Sequence, residues 1–486
     1  MKALQALFNP NNIAVVGASN DSSKAGNVIV KNILRKGYRK KIFPVNPKES
    51  EIIGLKAYAS IDLIEESVEM VVLIMPSSKI FEVMEDLEKR MIKRKDIKVI
   101  VCSSAGFGEL KTEEGYRRRN SLIEMIKKHN IRLIGPNCMG IIDNRSPLDT
   151  TFVETGKSFL KSNNKKPGIS FLSQSGAFAS AVLMIGDSSP VPIAFNKVLS
   201  VGNMIDIDFV DLLEYLEKDD STTIIGVYME GYSNPRKLIK TMSRIAHKKP
   251  VIVLKAGKTE QGASAAHSHT GSFAGSDKIY DSAFKQYGIV RVDNLEELVD
   301  TMKAFDRLPL PEGGNAFVLT QAGGPGSHCT DIISKTDLLK MPVINTDTKQ
   351  RLSNLLPDIA CVCKPEGYAD ISASANVQQH ILSLKALLGD PSIDLIIFIT
   401  IVPSFLPQKE LGRKLGELYK IEKTHHNKPV FFTMMAGNYV LPGRKSLEKQ
   451  GLYSFETPDR AVKAAYNMVW YVEYQKSCKE QDGYCE

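Results

Sequence analysis

The stretch Ile13-Ala14-Val15-Val16-Gly17-Ala18-Ser19-Asn20-Asp21-Ser22-Ser23-Lys24-Ala25-Gly26 decides the fold. Its four leading apolar residues, three of them β-branched, read as a buried strand. A turn of glycine and small polar residues follows, and residues 25–36 then carry apolar side chains at helical spacing. Strand, small-residue turn and helix together open a doubly wound parallel sheet. Working outward, residues 41–45, 70–75, 99–102 and 132–134 are further buried runs, separated by amphipathic segments such as 79–90. The polar stretch 157–167 reads as a linker. A second set of strands follows at 168–172, 192–198, 223–229, 250–254 and 288–292. A Pro- and Gly-containing linker at 308–314 leads to a third set at 316–320, 395–401 and 429–433. For 486 residues, at about 150 per domain, this predicts three doubly wound α/β domains, 1–145, 146–307 and 308–486. The first is expected to be Rossmann-like and the other two flavodoxin-like.

Composition limits the function classes. With 43% hydrophobic and 24% charged residues the chain has the profile of a globular protein, not of a disordered or fibrous one. No apolar run approaches the roughly 18 residues of a membrane span, and residues 1–10 lack the features of a secretory signal. Seven scattered cysteines make no disulfide framework. Cys361 and Cys363 have no second pair nearby, so no zinc site is expected. A reduced, cytoplasmic protein is the expectation. The formal charge of +8 suits polyphosphate ligands. Basic runs at 35–41 and 89–98 have little aromatic interleaving and read as solvated faces, so neither nucleic acid nor membrane is expected as a partner.

Three places carry chemistry. Ala18 and Ser19 after Gly17 break the G-x-G-x-x-G pattern of dinucleotide sites. The second strand ends in Phe43-Pro44-Val45-Asn46-Pro47-Lys48, with a lysine where a ribose-binding acid stands in NAD domains. Lysine suits a phosphorylated adenosine, which points away from an NAD dehydrogenase and toward coenzyme A. Farther on, Ser173-Gln174-Ser175-Gly176 and Gln321-Ala322-Gly323-Gly324-Pro325-Gly326 each join a strand to a helix. Such turns aim N–H groups and a helix dipole at an anion. His269, in Ala265-Ala266-His267-Ser268-His269-Thr270-Gly271-Ser272, stands among small residues that suit a moving loop, with His267 as its local competitor. Glu230 ends an apolar strand at a glycine boundary, where doubly wound sheets present ligand-facing residues. Asp206 and Asp208 share one face of an extended segment and are read as structural, and no metal site is expected in this chain.

Taken in order, the 17–26 and 43–48 turns, Ser104-Ala105-Gly106-Phe107-Gly108-Glu109 and Gly135-Pro136-Asn137-Cys138 resemble the CoA-binding domain of the NDP-forming acyl-CoA synthetases. Leu172–Ala177, Ser200-Val201-Gly202-Asn203, Tyr228-Met229-Glu230-Gly231 and Ser268-His269-Thr270-Gly271 resemble the central domain of that family, and 321–326 its third domain. The resemblance lies nearest the α subunits of the ADP-forming branch, relatives of succinyl-CoA synthetase. It implies a reversible reaction in which acyl-CoA, phosphate and ADP give acid, CoA and ATP through an acyl phosphate and a phosphohistidine.

The resemblance also implies residue roles. His269 would be the phosphorylated residue and Glu230 its hydrogen-bonding partner. CoA would be held at Gly17, Ser19, Lys24, Gly26, Pro44, Asn46, Lys48, Pro76 and Ser104. Phosphate would be held at Ser173, Ser175, Gly176, Gly323, Gly324 and Gly326, on two helices converging on the histidine. ADP/ATP and Mg would belong to an ATP-grasp β subunit in an α2β2 heterotetramer. The alternatives are a non-catalytic CoA- or acyl-CoA-binding regulator on the same scaffold and a protein acetyltransferase fusion, for which the tail after Tyr453 is too short. One departure stands out. The family's Asn-Pro-x-Asp element is replaced around Lys364-Pro365, with the acid at Asp370, and Lys364 is read as a residue that could meet a second negative charge on the substrate.

Overall fold

The computed structural model describes residues 2–153, 168–270 and 277–483. Two compact units make up the chain, one of residues 1–187 and 194–291, the other of 188–193 and 292–486. The first unit contains two sheets. One is five-stranded, in the order β2-β1-β5-β6-β7, from β1 (Ile13–Val16), β2 (Ile42–Val45), β5 (Met70–Leu73), β6 (Val99–Cys102) and β7 (Arg132–Ile134), with a hairpin of β3 (Glu51–Ile52) and β4 (Leu55–Lys56) beyond β2. Neighbouring strands are parallel throughout, with Ile13 opposite Ile42 on one side and Met70 on the other. The order places a switch point between β1 and β5, where open sheets bind ligands outside the carboxyl ends of their strands.

Alternation along β1 shows why the run is apolar on every residue. Ile13 and Val15 pack with Ile29, Val30 and Ile33 of the helix Ala25–Lys36. Ala14 and Val16 pack on the other face with Leu87, Met91 and Leu122. Both faces are covered, as a parallel sheet requires. Pro44 is tolerated because β2 is the edge strand, where one missing N–H breaks no ladder.

The chain enters the second sheet at Ile141. Its order is β14-β13-β12-β10-β11-β8-β9, from β8 (Ile141–Asp143), β9 (Leu148–Asp149), β10 (Ile169–Ser173), β11 (Phe195–Ser200), β12 (Ile224–Met229), β13 (Val251–Lys255) and β14 (Val290–Val292). The antiparallel β8–β11 pair is pinned by Lys197, whose buried ammonium lies 3.0 Å from Asp219 and 3.6 Å from Asp143.

The other unit holds the third sheet, β16-β17-β15-β18-β19-β20, from β15 (Ala316–Thr320), β16 (Cys361–Val362), β17 (Tyr368–Asp370), β18 (Leu395–Thr400), β19 (Val430–Met434) and β20 (Ser454–Phe455). Among the described residues, no helix is long and apolar enough to cross a membrane.

Segment 188–193 reaches this unit ahead of its other residues and is held by Lys303. The Lys303 ammonium donates to Ser189 Oγ at 2.6 Å and lies 4.1 Å from the centre of the Tyr453 ring. Burial pushes its pKa down to about 8. Between that value and the unfolded lysine's, the unfolded chain binds more protons, so stability rises with pH over the window from about 8 to 10. We expect denaturant unfolding of the full chain to show a gain on the order of 1 kcal/mol between the ends of that window. Lys303→Met should flatten it; an equal gain in that variant would assign the effect elsewhere.

Candidate functional site

At the carboxyl end of β1, Gly17 has φ +93, and a Cβ there would lie 1.9 Å from the Ile74 carbonyl oxygen. A Cβ on Gly26 would meet the Gly17 carbonyl oxygen at 2.0 Å. The two glycines let the first turn of the Ala25–Lys36 helix press onto the loop, with its free N–H groups at the strand ends. Ser19 is buried and its Oγ accepts from the Asp21 N–H at 3.1 Å. Asn46 donates from Nδ2 to the Ala18 carbonyl at 2.8 Å and accepts from the Lys48 N–H at 2.9 Å, which ties the two turns together. Lys24 and Lys48 are exposed beside them, and Pro44 is buried in β2. Pro76 follows β5, and Ser104 follows β6 with its Oγ accepting from the Met75 N–H at 3.0 Å. Pro76 lines a pocket of about 690 Å³ with Met75, Ser77, Ala105, Gly106, Glu109, Leu110 and Asn137.

The second sheet supplies a capped small-residue turn at a helix start and a buried acid. Ser173 Oγ donates to the Ser175 carbonyl at 2.6 Å, and Ser175 Oγ accepts from the Phe178 N–H at 3.2 Å, capping the helix Gly176–Ser188. Gly176 packs closely on Met139, where a Cβ would meet the Met139 Cβ at 3.3 Å. Gln174 Oε1 accepts from the N–H groups of Glu230 at 2.8 Å and Gly231 at 3.2 Å, joining this turn to the end of the neighbouring strand. Glu230 is buried, and the Tyr228 hydroxyl donates to its Oε1 at 3.3 Å. The Tyr228 ring stacks on Phe178 with centroids 3.8 Å apart. Burial, and then the Glu230 charge, push the Tyr228 phenol well up, so it stays a donor.

The segment carrying His267 and His269 differs from the expected loop: the backbone is helical over Glu260–Thr270. Ala263, Ala265 and Ala266 supply the helix propensity. The side chains of His267 and His269, and all of Gly271, lie outside the described residues. This helix follows β13, which pairs with the Glu230 strand, and it lies against the turn Gly108–Leu110.

In the other unit, Gly323, Gly324 and Gly326 open the helix Gly323–Ser334 at the end of β15. A Cβ on Gly326 would meet Thr320 Cγ2 at 2.5 Å and the Tyr368 hydroxyl at 2.8 Å, whereas Gly324 faces open space. Asp370 ends β17 beside Thr320, and its carboxylate would lie 3.1 Å from a Cβ on Gly323. The acid of this region therefore stands at the helix opening. Lys364, read as a residue that could meet a second negative charge on the substrate, lies on the turn between β16 and β17. β16 runs antiparallel to β17, so the turn carrying the exposed Lys364 lies at the opposite end of β17 from Asp370 and the glycines.

Asp206 and Asp208 have structural partners. Asp206 pairs with Arg132 Nε at 2.9 Å, and Asp208 caps the helix Phe209–Glu217 through the Val210 N–H at 2.8 Å. Among the described residues no cluster of three or more His, Cys, Asp or Glu side chains could hold a metal.

Sequence reasoning missed three residues that meet at the pocket. The Glu109 carboxylate accepts from the N–H groups of Gly106 and Phe107 and from Asn203 Nδ2 at 2.7 Å, and Asn137 Nδ2 reaches Asn203 Oδ1 at 3.5 Å. All three lie within quoted motifs, but nothing in the sequence brings positions as distant as 109 and 203 together.

The chain matches two family models, a CoA binding domain over residues 11–144 and a succinyl-CoA ligase like flavodoxin domain over residues 166–305. It is 37% identical to the α subunit of ADP-forming acetate–CoA ligase II of Pyrococcus furiosus, covering 96% of this chain and 97% of that protein. It is 34% identical to the ADP-forming acetate–CoA ligase of Methanocaldococcus jannaschii, covering 99% of this chain but 65% of that longer protein. The dinucleotide-forming acetyl-coenzyme A synthetase 1 of Ca. Korarchaeum cryptofilum, solved with phosphate and ADP, superposes with a TM-score of 0.86 at 32% identity over 99% of both chains.

Proposed function

The chain belongs to the family of ADP-forming acetate–CoA ligase α subunits, and from that premise we propose how its residues divide the reaction. It is an acid–thiol ligase subunit that works on CoA, phosphate and ADP together with a partner subunit. The partner is an ATP-grasp β subunit that holds the nucleotide and its Mg, in an α2β2 assembly. The longer relative supports a partner of that kind, since about a third of its length lies beyond the matched part.

In the synthesis direction of ATP, an oxygen of phosphate attacks the thioester carbonyl carbon of a small acyl-CoA. The C–S bond breaks, and CoA leaves as a thiolate that takes up a proton. A nitrogen of His269 then attacks phosphorus, and the carboxylic acid leaves as its anion. The β-phosphate of ADP finally takes the phosphoryl group to give ATP. Gly17, Ser19, Lys24, Gly26, Pro44, Asn46, Lys48, Pro76 and Ser104 hold CoA, with the lysines facing its phosphates. Ser173, Ser175 and Gly176 hold the transferring phosphate at a helix N-terminus, and Gly323, Gly324 and Gly326 offer a second opening of the same kind. Glu230 accepts a hydrogen bond from His269, which fixes its tautomer and stabilises positive charge on the phosphorylated ring. Phosphoryl transfer needs mainly position and fixed dipoles, which these openings supply without rearranging.

The observation that carries this reading is the join made by Gln174 between the capped Ser173–Gly176 turn and the buried Glu230, in the unit that bears His269. The test is to incubate the purified chain with radiolabelled phosphate and a panel of acyl-CoAs, without nucleotide. Acid-labile, alkali-stable label that requires one acyl-CoA is the expected result and names the substrate. No label with any acyl-CoA, even with partner and ADP present, would leave a CoA-binding regulator as the better reading.

A further inference from the structure

Glu109 has no part in the reaction as written above, yet it is the most heavily engaged side chain of the CoA-side pocket. Its carboxylate draws in two consecutive backbone amides, those of Gly106 and Phe107, and the side-chain amide of Asn203. Gly106 has φ +99, and a Cβ there would lie 2.3 Å from Ser77 Oγ, so the loop is folded tightly over the neighbouring strand end. Consecutive N–H groups in such a turn form a concavity that attracts an anion, and the chain fills it with its own carboxylate.

Asn203 belongs to the next sheet's loop. A Cβ on Gly202 would meet the Pro136 carbonyl oxygen at 2.3 Å, and the Asn203 N–H donates to that same oxygen at 2.9 Å. Glu109 therefore ties the pocket loop of the first sheet to the loop after β11. It also stands on the turn Gly108–Leu110, against which the histidine-bearing helix Glu260–Thr270 lies.

We propose that Glu109 is a positioning residue for the CoA-dependent half of the reaction: by holding the Gly106–Phe107 amides and Asn203 together it fixes the pocket loop, and with it the turn Gly108–Leu110 against which the histidine helix lies, relative to the loop after β11. This rests on the phosphohistidine reading given above. The polarity of the contact makes it testable. The carboxylate only accepts, and Asn203 donates. In Glu109→Gln the side-chain amide cannot accept on both sides, and it sets one donor against another. Adding Asn203→Asp reverses the pair: the introduced glutamine accepts from the two backbone amides and donates to the new carboxylate, which still accepts from Asn137.

The experiment uses the full complex and reads two half-reactions: label from phosphate with acyl-CoA, and label from γ-labelled ATP. Loss of a charge-assisted hydrogen bond should slow acyl-CoA-driven labelling of Glu109→Gln by roughly tenfold or more. ATP-driven labelling should stay within about twofold, which also reports a folded chain. The Glu109→Gln/Asn203→Asp pair should recover most of the lost rate. An unchanged acyl-CoA rate in the single variant, an equal fall in both half-reactions, or no recovery in the pair would each overturn the proposal. A wild-type complex that takes no label by either route would overturn the phosphohistidine reading itself.

Discussion

His269→Ala should leave the chain unable to accept a phosphoryl group from either direction, with overall turnover down by about a thousandfold or more. Alanine offers no nucleophile to accept the phosphoryl group. His267→Ala is the matched control. It stands two positions away in the same small-residue segment. That variant should keep turnover within a few-fold of wild type. The readouts are acid-labile label on the chain and steady-state ATP formation by the complex. Label that survives in His269→Ala but is lost in His267→Ala would move the phosphorylated residue to 267. CoA binding by calorimetry should be unchanged in both, because both histidines lie outside residues 11–144, the part of the chain that matches the CoA binding domain.

Gly17→Ala should be the most damaging small substitution in the first sheet. The new methyl carbon would sit 1.9 Å from the Ile74 carbonyl oxygen, a backbone atom that cannot swing away. The left-handed φ adds about 1–2 kcal/mol, and forcing an extra carbon into a packed site typically adds about 1–3 kcal/mol. We expect a loss of about 3 kcal/mol in denaturant unfolding, together with at least a roughly tenfold fall in CoA affinity, since the loop must move off the helix start. Gly37→Ala separates the two causes. Gly37 has φ +85 after the same helix, but no atom lies within 4 Å of its added Cβ. It should lose only about 1 kcal/mol and keep wild-type CoA affinity. Equal CoA affinity in Gly17→Ala and wild type would remove this turn from the binding site.

Much of this was legible because the signals are local. A run such as Ile13–Val16, apolar on every residue and closed by Gly17, has few readings other than a buried parallel strand, and it is one. The small-residue turns at Ser173–Gly176 and Gly323–Gly326 do open helices at strand ends, as their composition implies. What escaped was long-range. Glu109 closes a quoted motif with no sign in the sequence of its partner, and only the fold brings it to Asn203. Lys364 stands where the family motif has its asparagine, and its place along the chain does not show where its turn lies. The antiparallel course of β16 carries it to the far end of the strand. The helix over Glu260–Thr270 was missed for another reason: small residues suit a mobile loop and a helix about equally, and alanine tips the local balance toward the helix.

The early excursion of residues 188–193 has a consequence for how the molecule is made and dissected. The ribosome completes this segment long before it reaches Lys303 or Tyr453, so Ser189 leaves the tunnel with its eventual partner unsynthesised. The first sheet can close as soon as β7 emerges, but the second must wait for strands that follow the detour. A gene cut at the 291/292 junction would not yield two independent pieces. The upstream fragment would keep a six-residue strap that belongs elsewhere, and the downstream fragment would bury Lys303 without its Ser189 acceptor. Complementation by two such fragments, rather than stable expression of either, is the behaviour this interleaved chain path dictates.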